Sequence, residues 1–475
     1  MARDYDVIVI GGGGAGLAAA VTAHDQGARV ALVEADTKLG GSTSLSGGVY
    51  YAAGSSVQAE RGIADSPDAM FEYYMTLNQY RVEPALARRI CDNAARDLEW
   101  LQELGVRFSA EGLYASGVES VPRGHPAEGR GQAITDALQA AVSARGIDVA
   151  LNSRVHELVS DGRGAVTGVR FGDERVEAGS VIVATGGFGA NRNMLHELYP
   201  EAADYGDDWT WYIGSKHCQG DGIRMGAAVG GDVVGRNRGL LLTTPGFSKD
   251  LEVFVPGWLV YVNREGRRFI DETAEYAVMS GAVQAQTGRS CFAIFDDAAR
   301  AEAKPLPQYQ AAHEAGLVLN WITDRLDQEI ASRRIAQAGD LASLAKAIGV
   351  RPEALKTTVE TYNADCAASR DSQFFKDPAV MRPIATPPFY AREIRPAIVC
   401  LTSAGLRIDA NARVLDRADR PIDGLFAAGE TTGGALGERY IGGGNSIANA
   451  IVFGRIAGAT ACAHAVSKTG SSAAA

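Results

Sequence analysis

The sequence has few of the residues that build metal sites and disulfide frameworks. It contains six cysteines and seven histidines in 475 residues. No two cysteines form a Cys-x-x-Cys pair and no spacing is typical of metal ligands, so we predict no metal site. Scattered single cysteines are typical of proteins in a reducing cytosol, and we therefore expect a cytoplasmic protein.

Basic residues are in the minority, and long apolar runs are missing. Lys and Arg number 46 against 57 Asp and Glu, which gives a formal net charge of -11. Such an acidic chain is a poor candidate for binding nucleic acid, and we expect no nucleic-acid partner. No uninterrupted apolar run is long enough to cross a bilayer, so we also expect no transmembrane segment.

Glycine is abundant, and its first cluster indicates a dinucleotide site. Residues 5–34 read YDVIVIGGGGAGLAAAVTAHDQGARVALVE. A β-branched strand leads into G-x-G-x-x-G, a helix of small residues follows, and a second strand ends at an acid. In this context the glycines allow a tight turn and a close approach to a pyrophosphate, and the acid can bind ribose hydroxyls. The residues expected to contact the dinucleotide here are Gly11, Gly13, Ala15, Gly16 and Glu34.

Three further segments place glycines or hydroxyls at the ends of predicted strands. They are GGSTSLSGG at 40–48, VIVATGGFG at 181–189 and RPIDGLFAAGETTGG at 420–434. Open α/β sheets bind ligands at the carboxyl ends of their strands. One long ligand contacted by three distant parts of the chain indicates FAD rather than NAD. The predicted FAD contacts in these segments are Gly41, Ser42, Thr43, Gly47, Gly48, Ala184, Thr185, Gly186, Gly429 and Glu430.

The last glycine cluster follows a tyrosine. Residues 438–455 read ERYIGGGNSIANAIVFGR, and the pattern predicts a helix over Ile447–Ala459. The N–H groups of Asn445, Ser446 and Ile447 are expected to face the pyrimidine end of the flavin, because a helix N-terminus favours negative charge.

Together these segments resemble the flavoprotein superfamily of soluble fumarate reductases, succinate dehydrogenase flavoprotein subunits and 3-ketosteroid dehydrogenases. The matching pieces also include GDGIRMGAAVGG at 220–231 and VNREGRRFIDE at 262–272. The resemblance implies an α/β fold, with a discontinuous Rossmann-like FAD-binding domain and an inserted α+β capping domain that holds the substrate against the flavin. We expect the FAD-binding domain at 1–235 and 395–475 and the capping domain at 236–394. Succinate dehydrogenases tether FAD through a histidine in the segment that aligns with 40–48, where this chain has none, so we expect noncovalent FAD.

The chain departs from the fumarate reductase pattern at the substrate. That family clamps a dicarboxylate with two histidines and two arginines. Cys400 and Leu401 stand at one histidine position, and no histidine is found at the other. The arginine positions align with Tyr276, four residues after Glu272, and with Tyr440. Neutral phenols do not replace the charged partners that a buried carboxylate needs.

Tyrosines at these two positions resemble ketosteroid dehydrogenases. The resemblance implies that Tyr440 and the N–H of Gly444 hold a ketone oxygen, that Tyr276 takes the α-proton and that the β-hydride passes to flavin N5. A phenol has an ordinary pKa near about 10, so the tyrosine base needs a neighbouring donor. We therefore predict an oxidoreductase that desaturates, or in reverse reduces, the carbon–carbon bond next to a ketone, with a 3-ketosteroid or similar cyclic ketone as its substrate.

Two alternatives remain, and the electron acceptor is unknown. One is a fumarate- or tricarballylate-type carboxylate oxidoreductase, for which Arg439 is the evident cation. The other is a flavin electron-transfer protein without its own substrate. Two local predictions accompany them. Glu272 pairs with Arg267 or Arg268 to fix its loop, and residues 123–131 form a solvated loop rather than one that lines the pocket.

Overall fold

The computed structural model describes residues 3–116, 118–249 and 251–472. The chain divides into two compact units. Unit 1 comprises Met1–Asp204, Gly214–Leu240 and Val399–Ala475, and unit 2 comprises Tyr205–Ile213 and Leu241–Ile398. Residues 205–213, which the sequence prediction placed in the first domain, belong to unit 2.

The strands are numbered in chain order: β1 Tyr5–Ile10, β2 Val30–Val33, β3 Val49–Tyr51, β4 Gly124–Pro126, β5 Asp148–Ala150, β6 Val155–Ser160, β7 Val166–Phe171, β8 Glu174–Val183, β9 Trp211–Tyr212, β10 Val233–Val234, β11 Gly239–Thr244, β12 Val260–Val262, β13 Cys291–Asp296, β14 Ala336–Ala338, β15 Phe389–Thr402, β16 Gly405–Arg407, β17 Arg413–Leu415, β18 Pro421–Ala427 and β19 Thr432–Gly433.

The α-helices are α1 Gly14–Asp25, α2 Gly41–Leu45, α3 Ser56–Glu60, α4 Pro67–Leu77, α5 Pro84–Glu103, α6 Arg130–Ala144, α7 Arg192–Leu198, α8 Pro200–Ala203, α9 Asp221–Ala228, α10 Tyr276–Gln284, α11 Asp297–Ala301, α12 Gln310–Glu314, α13 Thr323–Ala331, α14 Leu341–Ala347, α15 Pro352–Ala367 and α16 Asn445–Ser472. Short 3-10 helices lie at Ala110–Gly112, Thr287–Arg289, Pro307–Tyr309, Pro378–Val380 and Gly429–Thr431.

The main sheet of unit 1 is built around parallel strands. Its order is β17-β18-β8-β1-β2-β5, and the pairs β18–β8, β8–β1, β1–β2 and β2–β5 are parallel. The central strands are short apolar runs that are buried on both faces, as parallel sheets require. Their carboxyl ends therefore meet along one edge of the sheet.

Helices α1 and α16 pack closely because their facing residues are small. A Cβ added at Gly454 would lie 2.4 Å from the carbonyl oxygen of Ala15, and one at Gly458 would lie 2.4 Å from that of Ala19. Any larger side chain would separate the helices. The prediction of a helix over Ile447–Ala459 is too short. In the structure α16 begins at Asn445 and extends to Ser472.

The apolar composition of α16 also bears on the expected absence of a membrane span. Among the described residues, Asn445–Ser467 is the one helix segment long and apolar enough to cross a membrane, and 61% of its window is buried inside the protein. The expected absence of a transmembrane segment therefore stays a prediction, with this one weak candidate against it. Helix α16 packs against α1 and against β8 of the sheet, so its apolar composition is that of a buried core helix.

Unit 2 has a mostly antiparallel sheet. Its path is β11-β15-β13-β12, and β14 and β9 both pair with β15. One face covers an aromatic core in which the rings of Trp258, Phe295 and Trp321 meet edge to face, with centroids 5.6–6.4 Å apart. The predicted fold class, a Rossmann-like α/β domain with an inserted α+β domain, is confirmed, while the capping role of unit 2 stays a prediction.

Candidate active site

The first glycine turn joins β1 to α1. The N–H of Gly11 donates to the carbonyl of Val33 at 2.8 Å. A Cβ at Gly16 would lie 1.8 Å from the carbonyl oxygen of Gly11, so only glycine fits there. At Gly13, by contrast, an added Cβ would meet no atom of the described residues within 4 Å. The turn is therefore tightly packed at Gly16 and open beside Gly13. The open space beside Gly13 suits a pyrophosphate at the start of α1.

Glu34 lies beside this turn, at the end of β2. One carboxylate oxygen accepts the N–H of Gly12 at 2.6 Å and the other accepts that of Asp36 at 2.7 Å. The residue is 8% exposed. The backbone thus fixes an acid at the carboxyl edge of the sheet, where the sequence prediction placed a ribose contact.

The hydroxyl-rich loop 40–48 comes to the same place. The Thr43 hydroxyl accepts the N–H of Gly14 at 3.2 Å, and the N–H of Gly40 donates to the carbonyl of Gly12 at 2.8 Å. The Ser42 hydroxyl accepts the N–H of Ser215 at 3.0 Å. Loop 40–48 and the N-terminus of α1 therefore form one continuous wall.

The ends of β8 and β18 complete this edge. The N–H of Ala184 donates to the carbonyl of Ile10 at 2.8 Å, and the hydroxyls of Thr185 and Thr431 are 3.0 Å apart. A Cβ at Gly429 would lie 2.8 Å from the Cβ of Ala15. The first glycine turn, loop 40–48 and the ends of β8 and β18 are thus brought together in unit 1, and the open space at Gly13 fits the close approach of FAD.

Glu430 does not face open solvent. One of its oxygens accepts both the N–H and the hydroxyl of Thr402, at 2.8 and 2.9 Å. Burial raises the pKa of this carboxyl, and the hydrogen bonds from Thr402 and the Gly187 N–H oppose that rise. Its contacts in unit 1 are with Thr402, in β15, and with Gly187, and its predicted FAD contact stays a prediction.

Tyr440 and Gly444 lie together on the last glycine turn. The phenol oxygen accepts the Ser446 N–H at 3.2 Å and lies 3.1 Å from the Ser446 hydroxyl. Burial raises the pKa of Tyr440 to about 12, against these hydrogen bonds, which lower it. The phenol therefore keeps its proton at neutral pH. Beside it, Asn445 is fully buried and donates to the Tyr74 hydroxyl at 2.9 Å, and Ile447 is 7% exposed.

Distant parts of unit 1 hold this turn in place. The Gly443 N–H donates to the Ser116 hydroxyl at 2.8 Å, and the Tyr73 hydroxyl donates to the carbonyl of Ile441 at 2.9 Å. The backbone N–H of Arg439 donates to the Asn78 side chain at 2.8 Å. These contacts leave the backbone of the turn little freedom.

A buried ionic network supports Ser116. Glu119 accepts the Ser116 N–H at 3.0 Å and the Tyr51 hydroxyl. Arg123 pairs with Asp65 at 2.8 Å and approaches Glu119 at 3.5 Å. Arg123 is 3% exposed and His125 is fully buried, so the prediction of a solvated loop over 123–131 is wrong for residues 123–127, whereas residues 128–130 are exposed. The cause is the pairing of β4 with β3, which draws the segment inward.

Tyr276 belongs to unit 2. It is the first residue of α10, preceded by Glu275, which caps the helix by accepting the Ala277 N–H at 2.8 Å. Its ring packs edge to face on Phe254, with centroids 6.1 Å apart. The half-buried ring is fixed by the helix start, and its role as a base stays a prediction.

Glu272, four residues earlier, is structural. It is fully buried, binds Arg268 through two hydrogen bonds of 2.9 and 3.0 Å and accepts from Lys376 at 2.8 Å. The predicted pairing with Arg267 or Arg268 is confirmed for Arg268. The partner Lys376 lies 104 positions away in the sequence, and no local pattern indicates it.

No cluster of metal ligands accompanies these residues. Within residues 3–116, 118–249 and 251–472, no group of three or more His, Cys, Asp and Glu side chains is placed to hold a metal ion.

Residues 6–447 match the family described as FAD binding domain. The chain belongs to this family, within the flavoprotein superfamily of fumarate reductases and succinate dehydrogenases, and it is an FAD-dependent oxidoreductase. The predictions of the superfamily and of FAD as the cofactor are therefore confirmed.

Individual similar proteins are named for different substrates. The fumarate reductase (cytochrome) of Shewanella frigidimarina is 32% identical over 464 residues, which cover 95% of this chain and 76% of that protein. The NADH:fumarate oxidoreductase of Klebsiella pneumoniae (strain 342) is also 32% identical, and this chain spans only 47% of its length. The structure of the 3-ketosteroid-Δ4-(5α)-dehydrogenase of Rhodococcus jostii RHA1 with 4-androstene-3,17-dione matches with a TM-score of 0.78 and 25% identity, over 97% of this chain and 98% of that one.

Proposed function

We propose that this protein desaturates, or in reverse reduces, the carbon–carbon bond next to a ketone in a small neutral molecule, with a 3-ketosteroid or a similar cyclic ketone as its substrate class. One observation carries the proposal. The phenol of Tyr440, four residues before Gly444, is held at the start of α16 by the Ser446 N–H at 3.2 Å, on the turn where the fumarate reductase pattern has an arginine.

The role proposed for Tyr440 follows from the protonation of its phenol. A protonated phenol and a backbone N–H are two donors for one carbonyl oxygen, and such a pair stabilises the negative charge that develops there. That polarisation acidifies the neighbouring C–H group. Bound FAD supplies the hydride acceptor or donor, and Tyr276 is the group proposed to exchange the proton.

The charges near the turn also favour a neutral substrate. Glu438 accepts from Arg81 at 3.1 Å and from Arg238 at 2.6 Å. Arg123 is paired with Asp65 and Glu119. A carboxylate taken from water needs a charged, hydrogen-bonded partner, and these three guanidinium groups already have one.

The second candidate is a carboxylate reductase of the fumarate type. It is favoured by the 32% identity with the Shewanella frigidimarina enzyme and by the exposed side chain of Arg439, one residue before Tyr440. This candidate requires Arg439 to turn towards the substrate.

A substrate screen separates the two. The purified flavoprotein is mixed anaerobically with a 3-ketosteroid, a small cyclic ketone or succinate, and turnover is followed with an artificial electron acceptor. We expect the ketones, but not succinate, to bleach the flavin. Reduction by succinate alone would refute the proposal in favour of the second candidate.

Substitution of the two tyrosines tests their roles. Tyr440→Phe and Tyr276→Phe should each lower kcat by about 100-fold or more, by analogy with the removal of one oxyanion donor or one proton-transfer group. Flavin content should not change. Tyr80→Phe, at a 73% exposed tyrosine, is the matched control. Full activity of both site variants would discredit the assigned roles.

A further inference from the structure

Ser446 makes an unusual use of its hydroxyl. It is the second residue of α16, and a serine at a helix start commonly bonds to a nearby backbone N–H. Here its hydroxyl has one hydrogen-bond partner among the described residues, the Tyr440 hydroxyl at 3.1 Å. Its backbone N–H donates to the same phenol at 3.2 Å. One residue therefore contacts the proposed substrate donor twice.

These contacts determine where the phenol proton points. A phenol oxygen accepts at its lone pairs and carries one proton. The Ser446 N–H takes one lone pair, so the other lone pair and the O–H remain for further partners. Without substrate, the acceptor within reach is the Ser446 hydroxyl oxygen. With a ketone present, the proton can pass to the ketone hydrogen bond while the serine hydroxyl rotates to donate back.

We propose that Ser446 is a positioning residue that holds the Tyr440 phenol as a hydrogen-bond donor to the substrate carbonyl. The proposal rests on the proposed function and deepens it, because it gives the tyrosine donor a partner that no pattern in the sequence indicates. If Ser446 acts in this way, its hydroxyl affects turnover only through Tyr440.

A double-mutant cycle on the FAD-loaded protein tests the coupling. Ser446→Ala should lower kcat with a ketone substrate by about three- to tenfold, the effect of one hydrogen bond, with KM nearly unchanged. Ser446→Thr keeps a hydroxyl and should restore most of the rate. In a Tyr440→Phe background, Ser446→Ala should have no further effect. An equal loss in both backgrounds, or no loss in either, would overturn the proposal.

A second measurement does not depend on turnover. The ionisation of Tyr440 is followed by tyrosinate absorbance, as the difference between the parent protein and Tyr440→Phe. Because the hydrogen bond from Ser446 lowers the pKa of Tyr440, the midpoint should move to higher pH in Ser446→Ala and return in Ser446→Thr. An unchanged midpoint refutes the inference. If the midpoint moves but no ketone is turned over, the proposed function fails while the contact between the two residues stands.

Discussion

The glycine turns that precede α1 and α16, both in unit 1, are built in opposite ways. The turn before α1 is held by its own neighbourhood: Gly12 bonds to Glu34, only 22 positions away. The turn before α16 is held by Ser116, 327 positions away, and by Tyr73, 368 positions away. The link between Gly12 and Glu34 in the first turn is thus encoded locally, whereas the turn at the proposed substrate end depends on contacts across the whole unit.

The largest effect is expected at the local turn. Gly16→Ala forces a Cβ against the carbonyl of Gly11, an overpacking that should cost about 3 kcal/mol of stability and remove bound flavin. The flavin-to-protein absorbance ratio and a thermal melt measure both. Gly13→Ala is the matched control, because its Cβ has open space. It should weaken flavin binding and leave the melting of the flavin-free protein unchanged. Equal melting of the two variants would contradict the role assigned to close packing.

A smaller effect is expected at Glu34. Glu34→Gln replaces charge-assisted bonds to two backbone N–H groups and should weaken FAD binding by about tenfold or more. Titration of the flavin-free protein with FAD measures the change. Glu60→Gln, at an exposed acid, should bind FAD as the parent does. If Glu34→Gln also bound FAD normally, the ribose contact predicted for this acid would be wrong.

The distant support of the second turn should respond more modestly. Ser116→Ala removes the acceptor of the Gly443 N–H and should cost about 1–2 kcal/mol of stability. We expect kcat to fall while flavin content stays constant, since the cofactor turn is untouched. Ser109→Ala, a nearby serine that does not cap its 3-10 helix, is the control. Loss of flavin in Ser116→Ala would show that the two turns are not independent.

The smallest effect concerns pH. Burial raises the pKa of Glu119, against lowering contacts from Tyr51, Ser116 and Arg123. The folded protein therefore holds this proton more tightly than the unfolded chain, whose glutamates titrate near about 4.3. Ionisation should cost stability as the pH rises above that value, until the folded pKa is passed. Glutamine cannot ionise, so the Tm of Glu119→Gln minus that of the parent should increase with pH across this window. A constant difference would mean that Glu119 is not strained by burial.

The same contrast explains what the sequence could predict. The fold class and the cofactor residues followed from short patterns, because G-x-G-x-x-G and Glu34 act within one βαβ unit. The burial of residues 123–127 and the length of α16 could not be predicted in this way, since both depend on packing partners far away in the chain. Ser116, Glu119 and Lys376 carry no local signal, as a lone buried polar residue resembles a surface one in sequence. The double contact of Ser446 with Tyr440 required the turn geometry itself.

The close seam between α1 and α16 has a consequence for synthesis of the protein. Residues 14–25 leave the ribosome more than 400 positions before residues 445–458, the part of α16 that covers them. During that interval the small-residue face of α1 has no helix against it, and unit 2 is made in between. We expect nascent chains that stop before α16 to bind chaperones or aggregate, because exposed apolar surface drives both.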